Sequence, residues 1–576
     1  MKPQTKIPML RVVARTSAAL LILVGGGCEL DVQNPNAPDA PRAFNDPAGL
    51  EQLLGGAFRA WVETRANYYI MALNMQADNY TASWNNAAIR YYSSVGSDCP
   101  LRCGWNNSVT AADAGLAVES SWYGYNTVLS SANDVLVAVA GGLCFDADCS
   151  ADNTLTARNV AIAKMLQGMA FSGIALLYDQ GFIVDETTDL SDPLALSFNT
   201  REEMRDAALA KFEAAWTEAG AQSWTTPSEW MGVGAGTSYS NERIRQVIRT
   251  MQAELIALWP RNGAENAQAA WNQVATFASQ GISSPAAGFD WEFYIDEGAS
   301  ECGVDCVKTW GNSIGTVRVD TRLASILATN HADPWPEPAG NPCPTVSADK
   351  RVGDGSWGPA DDFNGYATTA ATANAGTDFA CSGVVIFPPA RGQYHQSNLV
   401  HVRYERLAYV GENLPTSDAT GQDPLYTVQM NDLLWAEGLI RSGGSKAQAA
   451  QLINNSRVGR GGLPPLTGGE SDAELLAALQ YEQEIEFMGQ GTTPFFNRRR
   501  IDGLIQDTPR HMPVPDKELS VLVREVYTFG GPSAPEMSVT ANGKGADGTS
   551  RGRVQSVREI WEHYRALARE AARRQY

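Results

Sequence analysis

Residues 427–442, TVQMNDLLWAEGLIRS, are followed after a short Gly-Gly turn by 446–457, KAQAAQLINNSR, and then by 471–489, SDAELLAALQYEQEIEFMG. Each run reads as a helix. The last opens on Ser471-x-x-Glu474, a capping box in which each side chain satisfies a backbone N–H that the first helical turn leaves unpaired. Helices of this length joined by short turns pack as consecutive neighbours. The pattern recurs upstream. Asp46-Pro47 supplies an N-cap and a first-turn proline for a helix with Leu50, Leu53, Leu54, Ala57, Phe58 and Trp61 on one stripe. A second helix is expected over 156–179, with Val160, Ile162, Leu166, Met169, Gly173, Leu176 and Leu177 inward. The capping box Thr200-x-x-Glu203 opens another through Phe212 and Trp216. Ile244, Val247, Ile248, Met251 and Leu255 mark the next, followed by a segment around Trp271, Val274 and Phe277. The expectation is a mainly α, helical-hairpin superhelix.

Two regions break the helical pattern. Residues 78–126 hold Tyr80, Trp84, Tyr91, Tyr92, Trp105, Trp122, Tyr123 and Tyr125 among Asn, Ser and Gly. Residues 281–425 are rich in Pro, Gly and Asp, with a short strand expected over Val384–Phe387. Both read as ordered loops, and loops this long in a compact protein are usually functional. The division expected is a helical scaffold over 28–280 with the aromatic loop 78–126, a loop-rich subdomain over 281–425, a second scaffold segment over 426–525, and an extension over 526–576 with a helix from Val554 to Arg574.

The 576 residues carry 44 Lys plus Arg against 64 Asp plus Glu, a net charge of −20. That argues against a nucleic-acid partner, which requires a basic surface. A hydrophobic content of 44% with 19% charged residues fits a folded, globular chain rather than a disordered one. After the N-terminus, no apolar stretch is long enough to cross a bilayer, which takes roughly 20 residues. The first 27 residues are an address: Lys2, Lys6, Arg11 and Arg15 precede the apolar run Ser17–Val24, and Gly25-Gly26-Gly27 leads into Cys28. Small residues before a cysteine resemble a bacterial lipoprotein signal, in which Cys28 becomes the lipidated first residue; the competing reading is an ordinary cleaved signal. A chain starting at Cys28 loses four positive charges and no negative ones, and stands at −24.

Nine cysteines fit this reading, because setting Cys28 aside leaves an even number in an oxidising compartment. Neighbours pair as Cys99 with Cys103, Cys144 with Cys149, Cys302 with Cys306, and the more distant Cys343 with Cys381. The connectivity is not fixed by sequence. Zinc is the weaker alternative, since thiolate ligands suit reduced compartments and only five His are present.

Several pieces, taken in order, resemble the SusD/RagB-like outer-membrane nutrient-binding lipoproteins. They are Cys28-Glu-Leu-Asp-Val-Gln-Asn-Pro-Asn36, the helix around Leu53–Phe58, Ala163–Tyr178 with the following Asp-Gln-Gly, Leu434–Arg441, Ala449–Arg457, Gly461-Gly-Leu-Pro-Pro-Leu466, Glu482–Gly489, Phe495–Arg499 and Met512-Pro-Val-Pro515. The resemblance covers about residues 28–520. It implies a tetratricopeptide-type scaffold bearing an irregular ligand-binding subdomain, a lipid anchor on the outer membrane facing the cell surface, a TonB-dependent transporter as partner, and an oligosaccharide or peptide as ligand, with no catalysis and no cofactor. Glu29 and Asp31 look like the surface-export signals of such lipoproteins. The extension beyond Pro515 and the eight further cysteines depart from the pattern.

Sugar capture needs flat apolar faces rimmed by hydrogen-bonding side chains. Tyr80, Trp84, Asn85 and Asn86 offer both, and Trp291, Tyr294 and Trp310 are candidates for an opposing wall; the alternative for each aromatic is loop core. Glu482, Glu484 and Glu486 with Arg498 and Arg499 read as a solvated helix face plus one structural ion pair rather than an acid–base site. Gly311-x-Ser313-x-Gly315 matches a nucleophile elbow but lacks the strand-to-helix context. Gly232-x-Gly-x-Gly236 lacks the surroundings of a dinucleotide fingerprint, and Asp146, Asp148 and Asp152 lack the glycine and glutamate of a calcium loop. The leading expectation is a non-catalytic capture protein. A secreted polymer-degrading hydrolase and a helical scaffold binding only proteins are the alternatives.

Overall fold

The computed structural model describes residues 46–531 apart from 297–303, 334–346, 353–376, 382–396, 408–419 and shorter stretches that include 83–85, 94–101 and 313–316. The expected signal segment, Cys28, Trp84, Asn85, Cys99, Cys302, Ser313, Cys343, the strand expected over Val384–Phe387 and the helix expected over Val554–Arg574 therefore lie outside the described residues, as does the side chain of Asn86.

Helix α1 (Pro47–Ala66) buries Leu50, Leu54, Ala57, Phe58, Trp61 and Val62, the stripe its spacing predicts. It packs on α2 (Ala112–Ala140), which packs on α3 (Thr154–Leu177), then α4 (Arg201–Ala219), α5 (Asn241–Leu258) and α6 (Trp271–Ser279), each against its successor. The two expected capping boxes are present, and a further cap is found at Ser240. Thr200 and Ser471 form complete capping boxes, and Ser240 accepts from the Arg243 N–H at the start of α5. Against the expectation that no stretch after the N-terminus reaches that length, helix α3 is long and apolar enough to cross a membrane, yet 83% of its most apolar window is buried inside the protein. An all-round apolar helix is satisfied equally well by helices on both sides, here α2 and α4. Gly168 permits that approach: a Cβ there would stand 2.6 Å from the Phe212 ring of α4.

One expectation is corrected. Residues 112–126, read as part of an aromatic loop, are the first half of α2. Val118, Trp122, Tyr125, Val128, Leu129, Ala132 and Val135 are buried at helical spacing; the intervening Ser, Gly, Asn and exposed Tyr123 disguise the period.

After α6 the chain leaves the superhelix. It makes short helices α7 (Cys306–Gly311) and α8 (Thr321–Leu327), then returns as α9 (Val428–Arg441), α10 (Lys446–Arg457), α11 (Asp472–Glu486) and α12 (Thr493–Arg500). Helix α9 packs directly on α6, so the superhelix is continuous across the excursion. The contact is close: a Cβ on Gly438 would stand 2.6 Å from the Ala275 backbone nitrogen.

The strands are short and all antiparallel: β1 (Tyr80–Thr81) with β5 (Arg318–Val319), β2 (Gln180–Gly181) with β3 (Asn199–Thr200), β4 (Trp291–Asp296) with β8 (Thr420–Tyr426), and β6 (Phe379–Cys381) with β7 (Leu399–His401). The β4–β8 ladder joins the outgoing and returning ends of the excursion, with Phe293 opposite Asp423 and a bulge at Trp291/Glu292. Trp291, Phe293 and Ile295 point inward and Glu292 and Tyr294 outward, the alternation of a half-buried strand.

Candidate functional site

The candidate aromatics divide by burial. Trp291 is fully buried against Phe58, Trp61 and Tyr426. Trp310 is buried edge-on to Tyr68 at 5.1 Å. Tyr80 is fully buried, with its hydroxyl 2.9 Å from His401 Nδ1 and its ring against Gly311. For these three the packing is that of loop core, because each fills a gap between α1 or the first loop and the excursion. Tyr294, on the outer face of β4, is half-buried. Tyr80 packs on Gly311 at the end of α7, the helix that also carries Trp310, whereas Trp291 belongs to a separate cluster with Phe58 and Trp61 of α1.

Two aromatics passed over by the sequence reading stand at the surface beside Trp310. Tyr68 and Tyr69 are half-buried, with ring centroids 4.2 Å apart, on a 3-10 turn that the Asn67 side chain caps by accepting from the Tyr69 and Ile70 N–H groups. That turn contacts Asn86–Ala88, where the segment holding Trp84 and Asn85 rejoins the described chain. Ala87 and Ala88 both take positive φ, at 52° and 56°. Left-handed backbone costs an alanine about 1–2 kcal/mol and tends to collect at functional sites. The signal available in the sequence was the tandem Tyr-Tyr directly after a long amphipathic helix.

A cavity of about 30 Å³ is lined by Trp61, Arg65, Tyr125, Glu254, Tyr426 and Thr492, among others. It has room for about one or two waters and is too small for a sugar ring. Arg65 donates to the Leu425 carbonyl at 2.8 Å, and the Tyr426 hydroxyl donates to Glu254.

The glutamate run of α11 is not a solvated face. Glu482 and Glu486 are fully buried and Glu484 nearly so. Arg351, from the excursion, bridges Glu482 at 2.7 Å, Glu486 at 3.1 Å and Asp349 at 2.7 Å. Arg403 binds Glu486 at 2.7 Å, Arg460 binds both Glu486 and Asp378, and Ser456 donates to Glu482 and Glu486. Two positions along, Glu484 takes Arg322 at 2.8 Å and Arg498 at 3.4 Å. On α9, Glu437 receives both Arg500 nitrogens, at 2.7 and 2.6 Å. Burial alone raises such carboxyls, but the three guanidinium charges of Arg403, Arg460 and Arg351 hold Glu486 well below the usual range. His401, buried beside Arg403, Arg460 and Lys308, is pushed well below the usual imidazole range.

The remaining motifs resolve locally. Gly311 ends α7 rather than following a strand. Asp146 accepts from the Leu155 and Thr156 N–H groups and from the Thr156 hydroxyl, while Asp148 and Asp152 hold Ser150 and Thr154, so all three are turn and cap residues. Cys144 and Cys149 form a disulfide. Cys103 and Cys306 are also disulfide-bonded; Cys99 and Cys302, their expected partners, lie outside the described residues.

No family model matches the sequence, and no curated protein does. Solved structures do match. A SusD homologue from Bacteroides thetaiotaomicron is 13% identical, with 85% of this chain and 97% of that one covered at a TM-score of 0.54. A SusD-like carbohydrate-binding protein from Bacteroides fragilis is 13% identical, with 85% and 90% covered at 0.51. A SusD superfamily protein from Parabacteroides distasonis is 11% identical, with 82% and 97% covered at 0.52. What is shared is the mainly helical, tetratricopeptide-like fold, and by that fold this chain is SusD-like.

Proposed function

We propose that this chain is a non-catalytic outer-membrane lipoprotein, anchored through Cys28 and facing the cell surface, that captures oligosaccharides and passes them to a TonB-dependent transporter. The observation that carries the reading is the fold: a continuous helical superhelix, interrupted here between α6 and α9 by a loop-rich excursion, whose fold is like that of solved structures including a SusD-like carbohydrate-binding protein. In this reading 1–27 is the signal, 28–280 and 426–525 are scaffold, and 281–425 is the ligand-binding subdomain. The described part of the capture surface is Tyr68 with Tyr69, and Tyr294 on β4 is a further candidate contact; Trp84, Asn85 and Asn86 are proposed as ligands from the sequence alone. Trp310 supports Tyr68 from behind, and Tyr80 and Trp291 hold the loops in place. Absence of catalysis is supported by the fate of the acids, since Glu482 and Glu486 are occupied by Arg351, Arg403 and Arg460.

The test is titration of the chain from residue 29 onward against oligosaccharides and peptides, with products assayed in the same samples. Saturable oligosaccharide binding without products is expected. Tyr68→Ala and Trp84→Ala should each weaken it by about 0.5–1.5 kcal/mol, up to roughly tenfold in Kd. Product formation would establish a hydrolase; binding to no member of the panel would favour a scaffold for protein partners.

A further inference from the structure

Asp305 caps α7 twice over. Its Oδ1 accepts from the Lys308 backbone N–H at 2.8 Å, and its Oδ2 accepts from Lys308 Nζ at 2.9 Å. The same Nζ lies 2.7 Å from Oδ1 of Asp423, which sits on β8 opposite Phe293. All three side chains are 2% exposed or less, and the Tyr404 ring covers the ammonium with its centroid 5.2 Å away. Among the described residues, no group other than Lys308 and Asp305 engages the Asp423 carboxyl. One ammonium between two carboxylates leaves surplus negative charge in a dry interior, an unfavourable state.

We propose that Lys308 and Asp423 condense into an intramolecular amide, with Asp305 as the carboxylate that moves the protons. The Asp423 carbonyl carbon is one C–O bond, about 1.2 Å, beyond the oxygen already facing Nζ. A side-chain rotation therefore brings the nitrogen to the near-attack distance of about 3–3.5 Å. Burial raises Asp423 to about 7 against the pull of Lys308, and the Asp305 charge adds to the rise, so the acid form that serves as electrophile is populated at neutral pH. Burial also pulls Lys308 down, but the two carboxylates more than offset it and hold the ammonium.

The step balances without an oxidant. Asp305 removes one proton from the ammonium, and the freed lone pair attacks Asp423 Cγ. The second nitrogen proton passes to the departing hydroxyl, which leaves as water. A C–N bond forms and a C–O bond breaks. The site ends as a neutral amide beside a protonated Asp305, placed to donate to the amide oxygen. Two buried charges, the ammonium and the Asp305 carboxylate, are thereby removed, which favours the product in this environment. The bond would join α7, near the outgoing end of the excursion, to β8 at its return, next to the disulfide at Cys306.

Peptide mapping by mass spectrometry of the purified, reduced and denatured full chain tests this. The expected result is a branched peptide joining the segments around Lys308 and Asp423, lighter than their sum by one water. Lys308→Arg, which keeps the charge but cannot condense, and Asp305→Asn, which removes the proton carrier, should each give two linear peptides. Linear wild-type peptides with a free Lys308 amine would overturn the proposal, however the variants behave. A branch that persists in Asp305→Asn would overturn the role given to Asp305.

Discussion

Glu437 shows how a residue that reads as surface becomes structural. It sits mid-helix on α9 with an Arg at i+4, the spacing of an exposed pair, yet it is fully buried and bidentate to Arg500 from α12. Burial raises its carboxyl, but the Arg500 charge and hydrogen bonds, with Arg441 and Gln483, outweigh that and depress it to about 2 from an ordinary 4.5. A carboxyl depressed by folding adds stability that is full above its unfolded value and is lost as pH falls through the folded one. The expected outcome is therefore a fall in unfolding free energy between about pH 5 and pH 2, of which Glu437 contributes roughly 3 kcal/mol. Urea titrations across that range check it. Glu437→Gln should be less stable at pH 7, because Arg500 loses its anion, and should show a shallower acid slope; an unchanged slope would remove Glu437 from the account.

The element that sets the architecture is the α6–α9 contact, since it closes the superhelix over a sequence gap of nearly 150 residues. It depends on Gly438, where an added Cβ meets backbone rather than a movable side chain. Gly438→Val is expected to lower the unfolding midpoint, with overpacking of about 1–3 kcal/mol. A chemical denaturation curve superimposable on that of the parent would show that α9 can shift away from α6 freely. The helices were legible in the sequence wherever caps and stripes coincide, as at Thr200, Ser471 and Leu50–Trp61. Helix α2 was missed because Trp122 and Tyr125 lie among Ser, Gly and Asn, residues that break or cap helices when nothing packs on them. Here Tyr178 and Phe182 pack on Trp122, and α1 and α3 cover the same face.

For the whole molecule, charge and topology act together. The excursion is fastened to the scaffold by Arg351 and Arg403 on Glu482 and Glu486, with Asp349 and Asp378 completing the shell. Removing the arginines from such a network would leave buried anions uncompensated, so the excursion and α11 are expected to stay joined in the folded protein. Outside the network the chain is strongly acidic, at −20 for the full sequence. Neutral oligosaccharides are therefore expected to bind more tightly than polyanionic ones of the same size. Added salt should narrow the difference by screening, since the Debye length is about 10 Å at 0.1 M; a polyanion preferred at low salt would contradict this. The sequence by itself determined the helices that carry a clear stripe or capping box, though not α2, because periodicity and capping act within a few residues. It also carried the resemblance to the SusD-like proteins. Only the tertiary structure decided which aromatics and acids face solvent. Tyr80, Trp291, Trp310, Glu482 and Glu486 are buried by segments tens to hundreds of residues away, and no local pattern records what packs on a side chain from such a distance.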